Sequence, residues 1–485
     1  MGSKDTYEKH AKYLEFYKIQ ESHPDTEYWG IGIENETYLM FDDLFECKKD
    51  FIQNNQVPER YSVNYWKNYK PDPLKAALMK LPAAIPVPIY INSYIFRNAD
   101  LLGEHKSVYT KKVKQNPLYS GETIDGYLRR VSTTFTKLFE RYMIYDGDTF
   151  EITTFHFYKT TVPKVVEELS TIKREFVNEL NKNLVSKFTI FKKKIIYPKY
   201  NYGFTRFLSN LDNIAVCNNG TYHINLTLPT NLCSDGAIRD PEKFKNVHAN
   251  AIRAIQWIEP FLVALYGTPD ILHALDPAYV AGSQRLGMSR YIGLGTYASQ
   301  TMQKGKLLDT FVYMGKENYM TELHSANSPY VPPATIGFDF NYNKFKKHGI
   351  ELRILDYFPE EHLEHIINLL LLVCEHSLYN EIPDPRENKV WSHQCMKAIK
   401  KGSTMMITPP MYLKLYSVFG YTLITWLPFR LNDRPLNVLK TLSGYLYRKY
   451  RMWPLCTKMS PNMKPIQLVD YNRIMRLEFK KTIGK

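Results

Sequence analysis

The stretch NGTYHINLTLP, residues 219–229, decides the fold. Its residues alternate between apolar and polar, which predicts a β-strand whose side chains point to two different faces. Tyr222 and Ile224 lie on the apolar face, whereas His223 and Asn225 lie on the polar face. The polar face makes His223 and Asn225 candidates for a functional site, although an ordinary half-exposed strand has the same pattern.

A second strand is predicted at residues 28–40, YWGIGIENETYLM. Its alternation places Gly30, Gly32, Glu34 and Glu36 on one face. Two carboxylates on one strand face repel each other unless a positive charge lies between them. Glycines weaken a strand unless something approaches its backbone closely. The pattern therefore predicts a metal site, and two solvated surface glutamates are the alternative.

Two further strands carry candidate residues. In DTFEITTFHF, residues 148–157, Glu151 interrupts a run of β-branched and aromatic residues, and strands normally avoid glutamate. In GIELRILDYF, residues 349–358, Glu351 and Arg353 share one face. We expect these carboxylates and this guanidinium to belong to the same site as Glu34 and Glu36.

The segment SQRLGMSRYIGLGT, residues 283–296, places Arg285 and Arg290 among glycines in a predicted loop. Arginine has the fork of donors that clamps a phosphate or a carboxylate, although surface loops also carry arginines without such a role. The pair Gly293 and Gly295 lacks the third glycine of a dinucleotide fingerprint, and the chain has no Walker lysine loop.

The chain has 485 residues and 56.9 kDa, which suits two or three ordinary domains or one large enzyme domain with an appendage. Helical spacing is predicted near 123–143, 163–186 and 246–266, and Pro359 opens another amphipathic helix. Composition shifts after the proline-rich residues 382–385. We therefore expect a domain at 1–385, with an insertion or lid at 47–130, and a basic, mostly helical region at 386–485.

The six cysteines show no CxxC spacing, which indicates reduced thiols in a cytosol-like compartment. The first residues are polar, so no signal peptide is expected. The longest apolar run, residues 366–374, is shorter than the ~20 residues that a membrane span needs. We expect a soluble, cytoplasmic protein. The net charge of +14 is dispersed, and no nucleic-acid motif accompanies it, so we expect no nucleic-acid partner.

Taken in order, the motifs Gly-Ile-Glu-Asn-Glu, Glu-Ile-Thr-Thr, Asn-Gly-Thr-Tyr-His-Ile-Asn, the two loop arginines and Ile-Glu-Leu-Arg form a recognisable series. Over residues 28–380 the chain resembles the carboxylate–amine ligase superfamily of glutamine synthetase and glutamate–cysteine ligase, the amidoligases. The resemblance implies an α+β fold with a curved, largely antiparallel sheet and helices on its outer side. It also implies ATP and two or three Mg²⁺ or Mn²⁺ ions on the concave face.

The resemblance implies roles for nine residues. It assigns metal ligation to Glu34, Glu36, Glu151, His223 and Glu351, nucleotide contacts to His223, Asn225 and Arg353, and phosphate contacts to Arg353, Arg285 and Arg290.

The implied reaction is amide formation. ATP phosphorylates a carboxylate, with glutamate or a glutamyl group as the first to test, and an amine displaces the phosphate. No flap glutamate, ammonium pocket or cysteine pocket of the family is recognisable, so the identity of the amine is left open. Either both substrates are small molecules, or the acceptor is a protein or peptide. The resemblance is compatible with an oligomer. The alternative is a non-catalytic structural or interaction protein that keeps the fold. Four retained carboxylates together with Arg353 argue against it, because an unused cluster of like charges destabilises a fold.

Overall fold

The computed structural model describes residues 28–48, 84–98, 122–147, 149–155, 161–188, 190–199, 201–202, 204–208, 210–216, 220–230, 233, 238–268, 282–287, 293–299, 312–313, 316–317, 338–342 and 349–420. Arg290, much of the predicted insertion at 47–130 and residues 421–485 of the predicted C-terminal region lie outside the described residues.

The strands are β1 (Tyr28–Thr37), β2 (Leu39–Lys48), β3 (Ala84–Ile91), β4 (Met143–Asp146), β5 (Thr149–Thr153), β6 (Ile195–Ile196), β7 (Phe204–Phe207), β8 (Asn210–Val216), β9 (Gly220–Thr230), β10 (Val312–Tyr313), β11 (Lys316–Glu317), β12 (Phe340–Tyr342) and β13 (Ile350–Asp356). The α-helices are α1 (Ser93–Asn98), α2 (Ile124–Val131), α3 (Thr133–Arg141), α4 (Val162–Asn183), α5 (Pro241–Tyr266), α6 (Gln284–Gly287), α7 (Leu363–Tyr379), α8 (Lys389–Lys401) and α9 (Pro409–Phe419). Short 3₁₀ turns span Glu360–His362, Pro385–Glu387 and Gly402–Thr404.

The sheet that carries the candidate residues has, within the described ranges, the strand order β12-β13-β9-β1-β5-β4. Every neighbouring pair in it is antiparallel. Strand β9, predicted from the alternation at 219–229, lies between β1 and β13. It continues to Thr230, one residue past the proline that was expected to close it. The predicted α+β class with a largely antiparallel sheet is confirmed, whereas the curvature of the sheet stays a prediction.

A second sheet has the order β6-β2-β3-β7-β8 in the described part of the chain. Strand β2 follows β1 after a single residue, Tyr38, so the two sheets share one continuous stretch of chain. Tyr38 stacks on Tyr90 of β3, with ring centroids 5.3 Å apart. Strand β3 lies inside the predicted insertion at 47–130, and it pairs with β2 along most of its length. This part of the predicted insertion therefore completes a sheet.

Helices cover the apolar face of the first sheet. Tyr222, Ile224 and Leu226 of β9 are fully buried, with α5 packed against β9 and α4 against β1. Helix α5 begins where the side chain of Asp240 accepts a hydrogen bond from Lys243 N and Pro241 occupies the first turn, a favourable helix start. Helix α7 packs on both α4 and α5. This helical layer fixes the sheet from behind and leaves its other face for polar residues.

Residues 386–420 pack into the same core. Trp391 of α8 is buried and its Nε1 donates a hydrogen bond 2.8 Å long to the backbone oxygen of Gln256 on α5. The amide of Gly282 donates to the backbone oxygen of Ile399. The boundary after residue 385 stays a prediction. None of the helices that the structure describes is both long and apolar enough to cross a bilayer.

Candidate functional site

Strand register brings the candidate residues onto one face of the sheet. Glu34 lies directly opposite His223, and Glu36 lies opposite Thr221 on one side and Glu151 on the other. Asn225 lies opposite Glu351. Directly opposed residues on antiparallel strands point to the same face. Side chains from β1, β5, β9 and β13 therefore converge, although they are far apart in the sequence.

The closed end of the site centres on the ring of His223. Its Nδ1 lies 3.0 Å from Glu351 Oε1, 3.3 Å from Glu34 Oε2 and 3.6 Å from Glu36 Oε1. The side chains of His223 and Glu351 are completely buried, and that of Glu34 is nearly so. The polar face of β9 is therefore enclosed by protein. The alternative interpretation of this stretch as an ordinary half-exposed strand is wrong.

Arg285 of α6 sets the tautomer of His223. Its Nη2 lies 3.1 Å from His223 Nε2, and a guanidinium has donors but no acceptor. The imidazole Nε2 therefore accepts, which leaves the ring proton on Nδ1, facing Glu351 and Glu34. Arg285 also donates from Nε to the backbone oxygen of Arg353 at 2.7 Å. Burial lowers the pKa of the Arg285 guanidinium to about 10, which leaves it charged at neutral pH.

Three further donors hold the buried carboxylates. Arg353 Nη1 donates to Glu351 Oε1 at 2.9 Å, and Asn341 Nδ2 donates to Glu351 Oε2 at 3.0 Å. Asn225 Nδ2 donates to Glu34 Oε1 at 3.1 Å. Burial alone would lower the pKa of the Arg353 guanidinium, but the neighbouring carboxylates outweigh burial and raise this pKa. The side chain of Arg353 is 27% exposed, whereas that of its partner Glu351 is completely buried.

The open end of the site consists of Glu36, Asp146 and Glu151. One carboxylate oxygen from each lies within 4.8 Å of the others. Glu36 and Glu151 are half-buried and Asp146 is exposed. Asp146 ends β4 at the turn into β5, where it lies opposite Thr149. The β4–β5 hairpin therefore adds a carboxylate beside the pair formed by Glu36 and Glu151.

A β-bulge changes which side chains of β13 face the site. The register between β13 and β9 shifts between Leu352 and Leu355. Beyond this bulge Asp356 lies opposite Thr221, on the face of the buried histidine. Asp356 accepts hydrogen bonds from the amides of Arg285 and Thr268, at 2.8 and 2.9 Å. Burial raises the pKa of Asp356 to about 6. Asp356 thus attaches the start of α6 to the sheet.

The open end fits a hard divalent cation. Its possible ligands are all carboxylate oxygens, which Mg²⁺ prefers. The group formed by Glu34, His223 and Glu351 is equally close-set, but Nδ1 of His223 carries a proton in the present arrangement. With the ring proton on Nδ1, the histidine offers no lone pair to a cation on this side. Among the described residues, the two guanidinium groups offset only part of the carboxylate charge, so a cation fits electrostatically.

The structure thus brings together eight of the nine residues singled out from the sequence. Arg290 lies outside the described residues. Three residues at the site were not expected: Asp146, Asn341 and Asp356. Asp146 could have been suspected because it precedes Glu151 across a tight Gly147 turn, which returns the chain beside it. The role of Asn341 depends on strand pairing and that of Asp356 on the bulge. No local sequence pattern predicts either role.

No protein-family model matches the chain. Among curated proteins, the uncharacterized protein R704 of Acanthamoeba polyphaga mimivirus is 37% identical over 490 residues, which cover 98% of this chain and 83% of the relative. Among solved structures, a cryo-EM structure of Plasmodium falciparum glutamine synthetase is similar with a TM-score of 0.34 and 9% identity, over 97% of this chain and 76% of that chain. A TM-score this low does not establish a common fold, so no residue role is transferred from that enzyme.

Proposed function

The chain belongs to the same family as the uncharacterized mimivirus protein R704, and from the geometry of its site we propose that it is an ATP- and Mg²⁺-dependent ligase that joins a carboxylate to an amine. In this reaction the carboxylate attacks the γ-phosphorus of ATP, which gives an acyl phosphate and ADP. The amine then attacks the acyl carbon, and phosphate leaves. The product is an amide or a peptide-like bond.

One observation carries the proposal. Glutamates from β1, β5 and β13 face a histidine of β9 on one sheet face, and the guanidinium of Arg353 lies beside them. Transfer of a phosphoryl group to a carboxylate brings two anions together, so cations must shield both partners. Carboxylates that hold Mg²⁺, together with an arginine that faces the same space, provide this shielding.

The roles divide between the two ends of the site. We propose that Glu36, Asp146 and Glu151 hold a divalent cation, which when bound supplies positive charge against the phosphates. Arg353 contacts the transferred phosphoryl group, because its side chain is partly exposed and ends in a forked guanidinium. Arg290 remains the proposed second phosphate contact. Arg285, with an exposure of 5%, acts through His223 and through the backbone of β13.

The buried group plays a supporting part in this proposal. Glu34, His223 and Glu351 hold one another by hydrogen bonds, and Asn225 and Asn341 occupy the remaining carboxylate oxygens. This group fixes the side of the site next to the nucleotide, and its two carboxylates are the proposed ligands of a second cation. Glutamate or a glutamyl group is the first carboxylate to test, and the amine is a small molecule or a protein side chain. We further propose that the protein acts in the cytoplasm.

Thermal unfolding with nucleotides tests binding first. A ligand that binds only the folded state raises stability by about 2.7 kcal/mol at a concentration of 100 times its Kd. We expect ATP and Mg²⁺ together to raise Tm by more than Mg²⁺ or ATP alone does. Glu36→Gln should lose this rise, whereas Glu361→Gln, a matched change at a carboxylate that is 77% exposed, should keep it. Absence of a nucleotide-dependent rise in the parent protein would contradict the proposal and favour a non-catalytic role.

A further inference from the structure

A second pair of carboxyl groups lies behind the site, in the packed interior. Glu259 is on α5 and Asp339 comes directly before β12, and both side chains are completely buried. Among the described residues, the groups that most affect the pKa of either carboxyl, apart from burial, are neutral hydrogen-bond donors and the other carboxyl. Two negative charges without a cation are costly in such a place.

The hydrogen bonds received by the two carboxyls are unequal. Asp339 Oδ1 accepts from Tyr297 N at 2.7 Å and from Thr296 Oγ1 at 3.2 Å, and its Oδ2 accepts from Gln256 Nε2 at 2.9 Å. Glu259 Oε2 accepts from Gly295 N at 3.0 Å. Its Oε1 receives no hydrogen bond from the described residues. Asp339 therefore has more donors to stabilise a negative charge than Glu259 has.

We propose that Glu259 and Asp339 share one proton. This proton holds the segment 293–299 and strand β12 against helix α5. The position of β12, which lies beside the candidate site, is therefore sensitive to pH. Glu259 holds the segment through Gly295, and Asp339 holds it through Thr296 and Tyr297. With the proton present, Glu259 Oε1 donates to Asp339. Without it, two like charges face each other in a buried place, and the segment is released from α5.

This fastening reaches the candidate site through β12. The backbone oxygen of Asp339 accepts from Arg353 N at 2.9 Å, and two residues further on Asn341 donates to Glu351. The segment 293–299 also follows the stretch that contains Arg290. Release of the segment and of β12 from α5 would therefore weaken the contacts that hold Arg353 and Glu351 in place.

Other charged and titratable groups of the described residues also lie near the pair. On the turn before α8, Arg386 packs beside Gly295, and its guanidinium is bound to Asp384 through several hydrogen bonds. On the segment itself, burial raises the pKa of Tyr297, and Asp339 raises it further. Tyr342 of β12 likewise has a pKa raised by burial, to about 12. Both tyrosine pKa values are thus shifted upward, away from neutral pH, and we expect the carboxyl pair to respond first among these described groups.

The direction of the pH effect follows from where the proton is held. Burial, and next the charge of Asp339, raise the pKa of Glu259 well above its usual range. The folded protein then keeps a proton that the unfolded chain releases above the ordinary glutamate pKa. Stability falls with rising pH wherever the folded state binds more protons. The segment 293–299 should therefore be most firmly held at acidic pH and should loosen as pH rises.

Hydrogen exchange of the full chain over a range of pH tests this proposal, whatever reaction the site performs. In the parent protein, protection of the amides in 293–299, corrected for intrinsic exchange, should fall by about tenfold per pH unit above the ordinary glutamate pKa, for as long as the closed segment keeps the shared proton. Glu259→Gln keeps an acceptor for Gly295 N and replaces the titrating O–H by an amide that donates to Asp339 at every pH. We expect this variant to hold the segment independently of pH.

The matched control is Glu375→Gln, since Glu375 is a buried glutamate on α7 whose pKa burial raises to about 7. This variant should keep the parent's pH dependence in 293–299. An infrared difference spectrum between the parent and Glu259→Gln should show the loss of a protonated carboxyl band at neutral pH. Unchanged pH dependence in Glu259→Gln, a parent segment that does not respond to pH, or no such band would overturn the proposal.

Discussion

Glu36 lies directly opposite Glu151 on neighbouring antiparallel strands, and both carboxylates face Asp146 at the next turn. Like charges placed opposite each other destabilise a sheet. A protein that keeps three of them within ligand distance gains stability when a divalent cation binds between them. This relationship locates the chemistry that we propose for the site.

Asp146→Asn tests the cation directly, at a residue that the sequence did not single out. This variant replaces one of three anionic ligands by a weaker neutral one, so the increase in Tm with Mg²⁺ should become smaller and require a higher concentration. Glu122→Gln, at an exposed carboxylate just before α2 that is paired with Arg130, should respond to Mg²⁺ as the parent does. Equal Mg²⁺ titration curves for Asp146→Asn and the parent would remove Asp146 from the cation site.

Arg353→Lys separates the proposed phosphate role of this residue from its structural role. Lysine keeps a positive charge beside the buried carboxylate of Glu351 but loses the fork that binds two phosphate oxygens. We expect Tm to stay within a few degrees of the parent, and turnover to fall by about 100-fold, a few kcal/mol of transition-state stabilisation. Arg130→Lys, at an exposed ion pair with Glu122, should leave turnover unchanged. Parent-like turnover of Arg353→Lys would exclude the phosphate contact.

Glu375→Gln gives a prediction for stability against pH. Burial raises the pKa of Glu375 to about 7, so the folded state holds a proton that the unfolded chain releases above the ordinary glutamate pKa. The parent is therefore progressively destabilised between the unfolded pKa and about pH 7. The variant has no such proton, so its Tm relative to the parent should rise over this range and then level off. A Tm difference that is the same at all pH values would contradict the shift.

Gly295→Ala should destabilise the protein through a specific clash. Gly295 has φ of 62°, in the left-handed region, and an added Cβ would lie 2.4 Å from Cη2 of Trp391. We expect a loss of about 1 to 3 kcal/mol, as for other overpacked cores. Trp391→Phe removes the ring atoms that cause the clash. The two substitutions should therefore couple, the double variant being more stable than the sum of the single losses predicts. Strict additivity would place the cause elsewhere.

Two truncations test the C-terminal region. A chain ending at residue 420 keeps α8 and α9, whereas a chain ending at residue 385 loses Trp391 and its hydrogen bond to α5. We expect the longer truncation product to unfold cooperatively and to bind nucleotide. The shorter one should lose much of its Tm, because it exposes the surface of α5 that α8 covers. Equal stability of the two would mean that residues 386–420 form a separate unit.

The sequence was most informative where one strand face is polar and the other apolar. Alternation alone places His223 on the other face of β9 from the apolar residues. It also places Glu34 and Glu36 on one face of β1, and Glu351 and Arg353 on one face of β13. It could not give Asp356 its position, because a bulge reverses the alternation within β13. The sequence also could not predict the Glu259–Asp339 pair. The pattern of α5 is that of an apolar helix, and only tertiary packing places its glutamate near another carboxyl.

ADP formation tests the central claim most directly. The parent protein is incubated with Mg²⁺, ATP and a panel of carboxylates that begins with glutamate, with hydroxylamine as an amine that traps any acyl phosphate. We predict that ADP and a hydroxamate form in equal amounts with at least one carboxylate, and that Glu36→Gln forms neither. Nucleotide binding without any carboxylate-dependent ADP or hydroxamate, across amino acids and glutamyl peptides, would contradict the assignment as a ligase.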